Sequence, residues 1–260
     1  MKVLKNWRYL GRSSAGIALE VENRHRLVVK VLENALIRVV LLKDGTYRLD
    51  RTWAIAPEGD VPFDGRTRDD LAGFSCPDFV LEEQEGRLVL ETENLRLTIN
   101  TPLALVWESR PAAGEPWQEI ARDRPQDAYM IGRRDHRNHH FMRRNPDERY
   151  YGLGEKAGGL ERTGRRFEMR NLDAMGYDAQ TTDPLYKHIP FTITDKGRLG
   201  AVGLYYDTLA PCWFDLGNEK DNYHLPFRAF RAADGDLDYY FSWAPSVLDI
   251  VKQHHGLTGG

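Results

Sequence analysis

The stretch Leu95-Arg96-Leu97-Thr98-Ile99 places an apolar residue at every second position, the period of a strand with one face buried and one wet. The same signature recurs from end to end. "HRLVVKVLENALIRVVLL" is rich in Val, Ile and Leu, and its breaks at Glu33-Asn34 and Lys43-Asp44-Gly45 read as hairpin turns, so the first forty-five residues predict a β-meander. Glu93-Asn94 marks a further turn, "PFTITDKGRLGAVGLYY" divides into two strands around Asp195-Lys196-Gly197, and "LDYYFSW" is aromatic and β-prone. A chain of many short strands and turn signals must bury its alternating faces against one another. The expected fold class is therefore all-β, a large antiparallel β-sandwich.

One segment departs from the pattern. In "PSVLDIVKQHHGLTGG", Ser246 and Asp249 form an N-terminal capping box, Val247, Leu248, Ile250 and Val251 supply an apolar face, and Gly256 offers a left-handed end. Residues 1–245 are assigned to the sandwich, and 246–260 to a helix and the start of a linker. With 41% hydrophobic residues in 260, the chain can bury a real core. A net charge of -3 provides no basic footprint, so nucleic acid is not an expected partner. No apolar run is long enough for a membrane span, and none near the start suits a signal peptide. Cys76 and Cys212 stand far apart without metal-ligand spacing. A cytoplasmic location is expected.

Three motifs suggest chemistry and carry less than they promise. Gly152 and Gly154 in "YYGLGEKAGG" are followed by Ala157 where a dinucleotide fingerprint needs glycine, so a turn between strands is the simpler reading. His136, His139 and His140 lie close together, yet on a strand His139 and His140 face opposite ways and cannot converge on zinc; a solvated polar strand is expected, with no metal and no cofactor. "CWFDLGNE" nearly reproduces the first half of a W-x-D-M-N-E glycosidase nucleophile motif around Asp215. Gly217 throws the second half out of register, and Asp215 is read as structural.

The segment 171–193, "NLDAMGYDAQTTDPLYKHIPFTI", is too broken by Gly176 and Pro184 to be a helix and concentrates aspartates and tyrosines. Together with "YGLGEK" at 151–156, "NLDA" at 171–174, "TDPLYKHIPF" at 182–191, the earlier "LIRVVLLKDG" and the later "LDYYF", it makes the chain resemble the N-terminal domain of glycoside hydrolase family 31, the α-glucosidase and α-xylosidase family, from about Arg26 onward. The resemblance implies a galactose-mutarotase-like sandwich whose C-terminal helix leads into a (β/α)8 barrel, absent from this sequence, that carries both catalytic carboxylates. No catalytic residue is therefore assigned here. It further implies retaining hydrolysis of an α-linked oligosaccharide or glycoside through a covalent intermediate, and a loop, matching 171–187, that helps form the sugar pocket. Carboxylates can accept from neighbouring sugar hydroxyls and tyrosine can offer a ring face, so Asp173, Tyr177, Asp178 and Asp183 are the substrate-binding candidates. Asp173 and Asp183 equally suit turns. Without its barrel the domain should expose apolar surface and self-associate. Two alternatives share the implied fold: an aldose mutarotase using His136, His139, His140 or His188 with Glu155, or a freestanding carbohydrate-binding module.

Overall fold

A computed structural model describes residues 1–259. Every strand pairing is antiparallel, as the alternation requires. An eight-stranded sheet runs, edge to edge, through Arg149–Gly152, Phe191–Asp195, Ala201–Tyr206, Leu237–Ala244, Leu36–Leu42, His25–Glu33, Gly16–Val21 and Trp7–Ser13. Its last four strands are the predicted N-terminal meander. A six-stranded sheet (Lys2–Leu4, Tyr129–Ile131, Asn138–Arg143, Phe227–Ala232, Cys212–Asp215, Arg166–Met169) and a five-stranded sheet (Gln118–Arg122, Ala104–Ser109, Leu95–Asn100, Arg87–Glu91, Val80–Gln84) supply the opposing layer.

The main core lies between these layers. Ile37, Val39 and Leu41 from one strand and Tyr239, Phe241 and Trp243 from its neighbour meet Leu95, Leu97, Ile99 and Trp107 from across the sandwich. Trp107 stacks on Phe241 with ring centroids 3.9 Å apart. Leu36–Leu42 and Leu237–Ala244 are buried on both faces, because a second core covers the outer side of the sheet. There Leu36, Tyr240 and Ala244 pack with Ile55, Ile250 and Leu257. The helix Val247–Thr258 thus lies on the back of the sheet, capped by Ser246, whose hydroxyl accepts the Asp249 N–H at 3.2 Å.

Three local expectations need correction. Gly256 does not end the helix; Gly259 does, at φ 76°, because Leu257 is drawn into the second core and its carbonyl accepts the Ala56 N–H. Of the four apolar positions in the first turns, only Ile250 is fully buried, while Leu248 and Val251 face outward. Lys43-Asp44-Gly45 is a single 3-10 turn rather than a hairpin, and the chain beyond it runs irregularly to Val80 except for the short strand pair Arg51–Thr52 and Arg66–Thr67. Among the described residues no helix is long and apolar enough to cross a membrane.

Candidate functional site

Residues 170–190 contain neither helix nor strand, and they link the strand Arg166–Met169 in one sheet to Phe191–Asp195 in the other. Despite the irregular backbone, the loop is cross-braced. Asp178 Oδ1 accepts the N–H groups of Gln180 and Thr181, each at 2.9 Å, and the Thr181 hydroxyl, while the Asp178 N–H is satisfied by the Thr182 hydroxyl at 2.8 Å. The Thr181 hydroxyl and Gln180 N–H hold the Asp178 carboxyl below the usual carboxylate range, so it is ionised at neutral pH. Its second oxygen has no protein partner and faces solvent. Ala157, Ala174 and Leu185 form a small apolar floor, and the Ala179 carbonyl accepts the Gly158 N–H.

The four predicted side chains fall into different environments. Tyr177 is half exposed and meets Tyr186 edge to face, with centroids 6.0 Å apart. Asp173 is exposed and makes no hydrogen bond or ion pair. Asp183 instead grips the protein: Oδ1 accepts from Lys156 Nζ at 2.8 Å and Oδ2 from the Glu168 N–H at 2.5 Å. Leu172, Met175, Tyr177 and Tyr186 leave large apolar surface uncovered on the same loop. Asp173, Tyr177 and Asp178 thus retain groups free for an outside partner, whereas both oxygens of Asp183 are engaged.

The turn beneath the loop explains its glycines. Gly152 (φ 99°) and Gly154 (φ 64°) are in the left-handed region, and a Cβ on them would sit 2.5 Å from the Phe191 carbonyl and 2.7 Å from Ile189. The glycines therefore allow the turn to approach the loop's exit closely, as the reading of a turn between strands requires. Lys156, delivered by this turn, is the residue that sequence reasoning passed over; a lysine inside a glycine-rich turn reads as solvated, yet its side chain has no exposure.

The motifs set aside on sequence are also resolved. Asp215 is buried, with Oδ1 accepting the N–H groups of Gly217, Asn218 and Glu219 and Oδ2 bound to Arg166. It closes a turn, as its structural reading held. His139 and His140 do point apart, but the strand is not solvated throughout: His140 is sealed in the core, its Nε2 2.8 Å from Asp123 and its Nδ1 2.9 Å from the Tyr206 hydroxyl. Tertiary burial overrides the polar character of "RNHH". Among the described residues, no group of His, Cys, Asp and Glu could hold a metal. No hydrogen bond joins His136, His139, His140 or His188 to Glu155, which pairs with Lys187 at 2.8 Å. A depression of about 870 Å³ over the N-terminal meander and residues 45–50 shares no residue with the loop. Several of its polar groups are already engaged: Asp69 takes Lys30 and Tyr47, and Arg48 takes Asp234.

The sandwich, the turn and the loop between its layers match a known design. A sequence profile described as the glycosyl hydrolase 31 N-terminal galactose mutarotase-like domain fits residues 26–215. The chain belongs to that family. Among the curated relatives, alpha-glucosidase 2 of Bacillus thermoamyloliquefaciens is 32% identical over 119 residues, 46% of this chain and 14% of the relative. Alpha-xylosidase XylQ of Lactiplantibacillus pentosus is 24% identical over 191 residues, 70% of this chain and 22% of its own length. The fold is shared with the family 31 dextranase of Flavobacterium johnsoniae, solved with isomaltotriose and with glucose, at TM-score 0.78 and 20% identity over 99% of this chain. This chain covers 28% of the dextranase, so it spans well under a third of each of these three relatives.

Proposed function

We propose that this chain is the accessory sandwich domain of a retaining α-glycosidase acting on α-glucosyl or α-xylosyl linkages, and that its 171–187 loop forms one wall of the sugar pocket. The observation that carries the reading is the loop itself. This segment presents an ionised Asp178 with a free oxygen, an unpaired Asp173 and the half-exposed ring of Tyr177 beside uncovered apolar side chains. A carboxylate with a ring beside it suits a sugar, whose hydroxyls donate and whose C–H face is apolar. The bond-breaking carboxylates are assigned to a barrel outside this sequence. Asp215 is unsuited to the nucleophile's role, since three backbone N–H groups and an arginine occupy its oxygens.

The test compares this chain with a polypeptide in which it is joined to a family barrel, using chromogenic α-glucosides and α-xylosides. The chain alone should read at background and the joined form should hydrolyse one of the substrates. Hydrolysis by the purified chain that disappears in Asp215→Asn would overturn the assignment.

A further inference from the structure

The loop's neck is closed by an ion pair whose placement is unusual for a surface segment. Lys156 Nζ donates to Asp183 Oδ1 at 2.8 Å and to the Glu168 carbonyl, and its side chain is fully shielded from solvent. Asp183 Oδ2 accepts the Glu168 N–H at 2.5 Å. Glu168 immediately precedes the last residue of the strand that enters the loop, and Asp183 lies on the loop's return limb. The backbone N–H and carbonyl of one residue at the entrance are thus tied, by one carboxylate and one ammonium, to the exit. Segments of about this length with their ends brought together hold their shape through contacts at the neck and a small internal floor. Here the floor is only Ala157, Ala174 and Leu185.

We propose that Lys156 and Asp183 are positioning residues: their pair, in which the lysine is shielded and the aspartate partly open to solvent, sets where the loop presents Tyr177 and Asp178, and the loop swings free of the sandwich when the pair is broken. The proposal rests on the loop's reading as a pocket wall. Removing Asp183 leaves the Lys156 ammonium without a counter-charge in a shielded place, which is costly and is relieved most readily where the surroundings can open. The strands on either side are held by their own ladders, Arg166–Met169 to Cys212–Asp215 and Phe191–Asp195 to Ala201–Tyr206, so the loop is the part that can yield. A neighbouring pair provides an internal contrast. Glu155 and Lys187 also join the turn to the loop's exit, at 2.8 Å, but both are more than half exposed and contribute little to holding it.

The experiment is hydrogen exchange of this chain, resolved to residues 171–182 and to the central strand Leu237–Ala244. Asp183→Asn should speed exchange in the loop by about tenfold or more and leave the strand unchanged. Asp183→Glu, which keeps the carboxylate, should restore most of the protection, and Glu155→Gln should change nothing. The double variant Lys156→Met/Asp183→Asn, which carries no stranded charge, should still show the faster loop, and it covers the case in which the single variant fails to fold. Unchanged exchange in the loop, or faster exchange spread evenly over loop and strand in both variants, would overturn the proposal. In the barrel-joined polypeptide, Asp183→Asn should raise KM more than it lowers kcat. A freed loop with unaltered kinetics would leave the positioning role standing and remove the loop from the sugar pocket.

Discussion

Two long irregular segments interrupt the sandwich, and they are secured in similar ways to different ends. Residues 46–79 are latched by a buried quartet: Arg38 binds Asp238 through two nitrogens at 2.8 and 2.6 Å, and Arg68 reaches Asp207 at 2.5 Å and Asp238 at 2.7 Å. Burial disfavours the ionised form of Asp238, but Arg38 and Arg68 outweigh it and hold its carboxyl below the usual range. Residues 170–187 are latched by Lys156 and Asp183. The difference lies in what remains after latching. The first segment sends Ile55, Ala54, Leu71 and Phe74 into or against the second core, whereas the loop leaves Leu172, Met175 and Tyr177 uncovered beside unpaired carboxylate oxygens. An ion pair with at least one shielded partner therefore marks a segment that must hold its place. Its unspent surface indicates whether that place serves the fold or an outside partner.

The largest effect that could break this comparison belongs to the quartet. Arg68→Met strands Asp207 in the interior and leaves Asp238 to Arg38 alone, and it should cost about 3–5 kcal/mol, read as a shift of the urea midpoint at constant m-value. A loss under about 1 kcal/mol would mean that the first segment is not held by its charges.

Next in size is Asp178→Ala, which sharpens the contrast because it should affect function and spare the fold. In the barrel-joined polypeptide, losing charge-assisted bonds to sugar hydroxyls should lower kcat/KM by about ten- to hundredfold. The melting temperature should barely move, since the residue is exposed and its bonds are confined to the loop. A marked fall in melting temperature would instead identify Asp178 as a structural turn residue.

The smallest expected effect concerns how the second core is sealed. The His254 ring stacks on Phe191, with centroids 3.8 Å apart, and burial together with the charge of His255 lowers its pKa from 6.5 to about 4. Between those values the unfolded chain binds a proton that the folded chain does not, so stability falls as pH drops from 6.5 toward 4. His139, lowered to about 4 by burial and Arg231, acts in the same direction; Asp236, raised to about 6 by burial, opposes both. His254→Phe preserves the stack and removes the proton site. Melting temperatures measured from pH 7 to 5 should decline less steeply for the variant than for the wild type, and equal slopes would remove His254 from the acid response.

Local order was legible along the chain. The alternation at Leu95, Leu97 and Ile99, the turns at Glu33-Asn34 and Asp195-Lys196-Gly197, and the Ser246 cap all depend on residues within a few positions of one another, and all are where the pattern puts them. The ordered motifs from "LIRVVLLKDG" to "LDYYF" carried the family for the same reason: they are contiguous and need no partner to be read. The sequence by itself therefore determined the strands, the fold class and the location of the irregular loop. Only the tertiary structure decided which polar side chains are consumed. Arg38 meets Asp238 across 200 positions, His140 meets Tyr206 across 66, and Asp183 meets Lys156 across 27. It also decided that Gly256 stays inside the helix, where the continuing turn carries Leu257 into the second core. The physical reason is range. Strand periodicity and caps are short-range preferences of the backbone, whereas the fate of a buried charge depends on which distant residue the closing sandwich brings within hydrogen-bonding distance.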